Sequence, residues 1–143
     1  MLSKTQKHIL ISKLKSNIRP DNYMSPAWTV INNNITCLTE ALTVMSKSWL
    51  VGFTEAEGSF YLVSKSTNRI TLAFEITQKL DKIVLDAIGY LLDLTVVKKN
   101  TYYTVGTTNS KHVANIIIYF HNTMKGMKAL EYRIWSCSFN KKK

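Results

Sequence analysis

Residues 49–60, WLVGFTEAEGSF, decide the fold. Most of the first ten suit a helix packed on a core, yet Glu55 and Glu57 flank Ala56 immediately before Gly58. The spacing predicts a helix capped by Ser46 or Ser48, carrying Trp49, Leu50, Phe53 and Thr54, and ending at Gly58, a residue type favoured just past helix C-termini. Along that helix Ser48, Gly52 and Ala56 recur every fourth residue and form a stripe of small side chains. Such a stripe lets a second helix backbone approach closely. When the partner is the same helix of another unit, the two C-terminal ends meet and Glu57 lies beside its counterpart. Two close carboxylates repel unless a cation sits between them. An acid is also unfavourable at a helix C-terminus, where the dipole prefers cations. The pattern therefore points to a divalent cation held by oxygen ligands.

Working outward, residues 59–64 read as a strand, 66–69 as its turn and 70–77 as the returning strand of a hairpin. Residues 81–92 place apolar side chains at helical spacing. Residues 95–98 and 102–105 flank Lys99, Asn100 and Thr101 as a second hairpin. Residues 110–120, with Ser110 as cap, and 126–139 read as helices. The expected class is α+β, with a four-stranded antiparallel sheet and helices on one face. On the first strand Phe60 and Leu62 point one way, and Ser59, Tyr61, Val63 and Lys65 the other. The second set is too polar for a sandwich core.

The chain of 143 residues carries 19 Lys and Arg against 9 Asp and Glu, a formal net charge of +10, with 45% hydrophobic residues. That composition excludes a disordered protein, and the charge favours polyanions as partners. Residues 1–45 read as an irregular basic arm or linker, with at most a short helix near residues 40–45. Within it Lys4, Lys7, Lys13, Lys15 and Arg19 occur without an acid, and Pro20 and Pro26 bracket a loop. Residues 46–143 read as the folded domain, ending in Lys141, Lys142 and Lys143. No run approaches the length of a membrane span, so no membrane partner is expected. Cys37 and Cys137, and His8, His112 and His121, lack metal-ligand or redox spacing.

The stretch Leu50, Val51, Gly52, Phe53, Thr54, Glu55, Ala56, Glu57, Gly58 resembles, position by position, the signature of the LAGLIDADG homing endonucleases. SFYL after it, FEITQK at 74–79, the strand with Tyr102 to Gly106, and MKGMKALEYRIW at 124–135 resemble later landmarks. The resemblance spans about residues 46–140 and implies an α-β-β-α-β-β-α fold, the order already read from the pattern. It implies an intron-encoded, organellar (mitochondrial) DNA endonuclease whose sheet lies on the major groove and whose paired acids bind Mg²⁺ for phosphodiester hydrolysis. By position, Glu57 matches the metal-binding acid and Gln78 a polar residue near the scissile phosphate. Lys125 or Lys128 matches a basic residue that supports the hydrolytic water. Ser59, Tyr61, Val63, Lys65, Arg69, Thr71, Glu75, Lys98, Lys99, Tyr102 and Thr104 fall where the sheet contacts DNA.

The chain has one motif, and SPAW at 25–28 resembles the linker between the halves of two-motif members. It thus resembles a second half without its first, with the C-terminal helices cut short. Activity then requires a second unit, either another copy or a separately made half. The alternative is a remnant that binds structured RNA, as a maturase-like protein or a subunit of a ribonucleoprotein such as an organellar ribosome, with cleavage lost.

Overall fold

A computed structural model describes residues 3–16 and 25–141; Arg19, Pro20, Lys142 and Lys143 lie outside these, as do the side chains of Lys13 and Lys15. The helices are α1 (Lys4–Ser16), α2 (Leu38–Val44), α3 (Lys47–Glu57), α4 (Lys82–Leu92), α5 (Ser110–Tyr119) and α6 (Ala129–Lys141). The strands are β1 (Gly58–Ser66), β2 (Arg69–Gln78), β3 (Val96–Lys98) and β4 (Tyr103–Thr107). From α3 onward the order is the expected one, and the strands form one four-stranded sheet in the order β1-β2-β4-β3. All three strand pairings are antiparallel. Ser46, rather than Ser48, caps α3, its hydroxyl accepting from the Trp49 amide at 3.1 Å. Asn109, rather than Ser110, caps α5, accepting from the Lys111 amide at 2.9 Å.

The arm departs from the expectation of an irregular segment. Residues 4–16 are helical because Ser3 and Gln6 form a reciprocal capping box, with bonds of 2.9 and 3.2 Å. The described side chains of α1 are exposed. Pro26–Ile31 forms a 3-10 turn that buries Trp28. Helix α2 starts where Glu40 reaches back to the Thr36 amide and hydroxyl, at 2.7 and 3.0 Å. Trp28, Ile35, Ala41 and Met45 all join the core, so residues 25–45 are packed onto the domain. The turn chemistry of this stretch is short and local, which hid it behind its polar composition.

The core lies between the helices and one face of the sheet. Phe60 is its centre, with ring centroids 5.3 Å from Phe74, 5.2 Å from Tyr132 and 5.0 Å from Trp135. Ile76 and Val105 continue that face across β2 and β4, both fully buried. A β-bulge between Ser64 and Ser66 shifts the register near the tip of the first hairpin.

Gly106 stands opposite Glu75 on β2. A Cβ there would run into the Phe74 carbonyl oxygen and lie 3.0 Å from the Glu75 Cα. Gly106→Ala should therefore force β2 and β4 apart and cost about 1–3 kcal/mol, the usual range for overpacking. Thermal melts check this. A midpoint equal to that of the wild type would contradict the close approach.

Candidate functional site

The end of α3 answers the question its sequence raises. Leu50 and Thr54 are fully buried and fix one face of the helix on the sheet. Ser48, Gly52 and Ala56 are exposed, and among the described residues nothing lies within 4 Å of a Cβ added at Gly52 beyond the helix's own backbone. Trp49 and Phe53 stack beside this stripe with centroids 4.9 Å apart, and Trp49 is 45% exposed. Gly58 ends the helix with extended backbone, φ −75°. Glycine is needed there by close approach rather than by a left-handed conformation: a Cβ would lie 2.6 Å from the Thr54 carbonyl oxygen.

The two motif carboxylates part company at this end. Glu55 turns onto the loop before α6, where its Oε1 accepts from the Gly126 amide and its Oε2 from the Lys128 amide, each at 2.8 Å. Glu57 is exposed. Its neighbour Gly58 pairs with Ile76 on β2, so Gln78, two residues further along β2, ends its strand at the same end of the sheet. The loop held by Glu55 brings Lys125 and Lys128 to this end too. Lys128 forms an ion pair with Glu131 at 3.5 Å and its side chain is 25% exposed. Lys125 is exposed and makes no ion pair among the described residues. Glu131 also accepts from the Phe60 amide at 2.9 Å, covering the free edge of β1.

The strand registers sort the sheet candidates. Ser59 pairs with Glu75, Tyr61 with Ala73 and Val63 with Thr71, while Thr77 and Val97 both face Thr104. Since Phe60, Phe74 and Ile76 are core residues, this alternate set faces away from the helices. Side-chain bonds tie the set together across three strands. The Tyr61 hydroxyl donates to Glu75 Oε2 at 3.2 Å, Thr77 Oγ1 donates to Glu75 Oε1 at 3.0 Å, and Thr77 and Thr104 lie 3.5 Å apart. Partial burial, then the neighbouring Glu75 carboxylate, raises the Tyr61 phenol above its usual pKa, so it remains a donor. Lys99 borders a shallow depression over Gly106 with Tyr61, Glu75 and Thr104. Tyr102 is exposed in the turn closed by the Lys99 amide and the Tyr102 carbonyl at 2.8 Å.

Lys98 is a correction. It pairs with Tyr103, in the same row as Gln78, and this row alternates with Thr104 and Thr77. Its register position is therefore on the helix side, at the exposed end of the edge strand. Thr77 and Val97 occupy the outer face instead. The alternation of 71, 73 and 75 already extends to 77, whereas the face of the short β3 is fixed only by its pairing. Lys65 lies at the bulge, and with Arg69 and Thr71 it lines a cleft of about 900 Å³ closed by residues 108–110, Val113 and Phe139.

The family model for the LAGLIDADG endonucleases matches residues 50–138, more than half of the chain. The chain belongs to the LAGLIDADG endonuclease family. This LAGLIDADG chain is 42% identical over 106 residues to the probable intron-encoded endonuclease Cox1-I1b of Schizosaccharomyces pombe. The match covers 68% of the chain but only 28% of that relative. Among solved structures, the meganuclease I-SmaMI bound to uncleaveable DNA has a TM-score of 0.65 at 22% identity, covering 95% of this chain and 50% of that one. The homing endonuclease I-TnaI has a TM-score of 0.62 at 22% identity, covering 67% and 72%. The archaeal intron-encoded homing endonuclease I-Vdi141I, complexed with DNA, has a TM-score of 0.60 at 25% identity, covering 66% of each chain. These likenesses agree with the LAGLIDADG fold expected from the motif.

The donor set of the LAGLIDADG chain can be weighed against Mg²⁺ directly. Among the described residues no three His, Cys, Asp or Glu side chains gather into a cage. Mg²⁺ commonly takes one or two carboxylates together with water and substrate phosphate oxygens. An exposed Glu57, with the Glu55 oxygens already engaged by amides, fits one protein ligand of such an ion. No helix among the described residues is long and apolar enough to cross a membrane.

Proposed function

We propose that this chain is one half of a homing-type endonuclease that binds double-stranded DNA through the outer face of its sheet. With a second LAGLIDADG unit, a copy or a separately made half, it hydrolyses phosphodiester bonds. The observation that carries this reading is the end of α3, where an exposed Glu57 adjoins an open stripe of small residues. Pairing along Ser48, Gly52 and Ala56 supplies the second acid that one chain lacks. Glu57 would hold a divalent cation between the units. When bound, such an ion polarises the phosphate and lowers the pKa of water.

The remaining roles belong to this chain's own side chains. Gln78 offers a neutral donor and acceptor beside the scissile phosphate. Lys125 suits the support of the hydrolytic water better than Lys128, because Lys128 is engaged by Glu131. On the sheet, Tyr61, Glu75 and Thr77 present donors and acceptors to base edges in the major groove. Thr104 is buried and donates to the Ile76 carbonyl at 3.3 Å, so it supports this face from within. Ser59, Val63 and Thr71 share that outer face. Lys65, Arg69, Lys99 and Tyr102 sit at the ends of the hairpins, and the cations among them suit phosphates. The name of the Schizosaccharomyces pombe relative, an intron-encoded Cox1 endonuclease, supports a mitochondrial setting.

A competition experiment tests this reading. The full chain is offered a genomic DNA library and total organellar RNA together, at several salt concentrations, because phosphate contacts make both modes salt-sensitive. The retained nucleic acid is sequenced with and without residues 1–20. The expected result is enrichment of a short, defined DNA site that is independent of the arm. Retention of one structured RNA, lost when Lys4 to Arg19 are removed, would instead establish the RNA-binding alternative.

A further inference from the structure

Glu55 and Glu57 stand two residues apart, yet only Glu57 is exposed. Each Glu55 oxygen accepts a different backbone amide, 71 and 73 residues away in sequence, at 2.8 Å. A carboxylate is acceptor-only on both oxygens, so it satisfies two N–H groups at once. Gly126 makes room for this: a Cβ there would lie 3.0 Å from Glu55 Oε2 and 3.1 Å from its Cδ. A second tie holds the same segment on its far side, where Glu131 takes the Phe60 amide at 2.9 Å and Lys128 Nζ at 3.5 Å. The loop between α5 and α6 is therefore pinned to both sides of the α3–β1 junction, and Lys125, one residue before the Gly126 amide, is left exposed.

We propose that Glu55 is a positioning residue for cleavage: its carboxylate fixes the loop so that Lys125 stands at a set place relative to Glu57. This role rests on the endonuclease reading above. It assigns distinct duties to the two acids of the motif, one inward and structural, the other outward and chemical. A reacting geometry is sensitive to displacements of about 1 Å, which cost up to roughly 100-fold in rate. Loosening the loop should therefore slow the chemical step without touching the DNA-binding face.

Glu55→Gln tests the role with almost no change of volume, since the amide nitrogen of glutamine cannot accept from a backbone N–H. Gly126→Ala is a second variant that crowds the carboxylate from the loop side and leaves Glu55 in place. Amide exchange of the full chain should speed up at Gly126 and Lys128 in Glu55→Gln, with core protection unchanged. In the assembly that cuts, on a duplex selected by the wild type from a random library with Mg²⁺, single-turnover cleavage should fall roughly 10- to 100-fold while DNA affinity stays within about twofold. Adding Glu55→Gln to Lys125→Ala should cost less than about threefold more, because the two changes remove one arrangement. A purely stabilising role would lower the melting temperature but leave the single-turnover rate of the folded complex alone. A Glu55→Gln protein that cuts as fast as wild type, or effects that multiply fully with Lys125→Ala, would overturn the role alone. A wild type that cuts no selected duplex would overturn the endonuclease reading, and this role with it.

Discussion

Glu57→Gln is expected to abolish cleavage while DNA binding is retained or becomes slightly tighter. Glutamine keeps the shape of the side chain but loses the charge that would hold a divalent cation at an exposed helix end. A catalytic metal contributes several kcal/mol of charge stabilisation, and each 1.36 kcal/mol is tenfold in rate, so the loss should reach roughly a thousandfold or more. Binding should not suffer, because removing a negative charge beside phosphates relieves repulsion. The fold should not suffer either, since Glu57 is exposed and sits at the unfavourable end of the helix dipole. The check is a cleavage assay in the paired assembly beside a binding titration on the same duplex. Undiminished cutting would remove Glu57 from the metal site.

Gly52→Leu should move stability and assembly in opposite directions. Among the described residues of one chain nothing lies within 4 Å of an added Cβ at Gly52 beyond the helix's own backbone, so leucine meets no described neighbour there. Glycine in a helix interior costs roughly 0.8–1 kcal/mol relative to alanine, and leucine is nearly as good as alanine, so the isolated chain should melt no lower and by up to that amount higher. If α3 packs closely on a second α3, the same leucine forces the backbones apart. Overpacking of about 1–3 kcal/mol corresponds to a roughly 5- to 150-fold weaker dissociation constant. Sedimentation at several concentrations, with thermal melts of the same samples, measures both. A variant that melts higher and still associates like the wild type would place the contact between units elsewhere.

The motif and the alternation of apolar residues were enough to read the order of elements from α3 onward. The reason is that the first hairpin alternates well enough around Phe60 and Phe74 and the helices repeat an apolar face, so local periodicity carries most of the assignment. Phe60 illustrates it: its phase along β1 set the core face, and with it the outward set of Ser59, Tyr61 and Val63. Apart from the short helix expected near residues 40–45, which is α2, the arm was illegible for the opposite reason. Trp28, Ile35, Ala41 and Met45 are separated by turns and polar residues without a shared period, so their burial emerges only when residues 25–45 fold back onto the domain.

By itself, then, the sequence determined the α+β class, the helix and hairpin order, the family motif and the stripe of small residues on α3, all consequences of local spacing. Tertiary structure decided what depends on partners distant in the chain. Register, not composition, put Lys98 in the row of Tyr103 and Gln78 and brought Thr77 to the outer face. Steric approach of β2 demanded glycine at 106. Two amides more than 70 residues away took up Glu55 and left Glu57 exposed. The motif position already singled out Glu57, but the partners of Glu55 could not be read from any local pattern, because they lie more than 70 residues away. What separates the two acids is which backbone donors the fold brings within reach of each carboxylate.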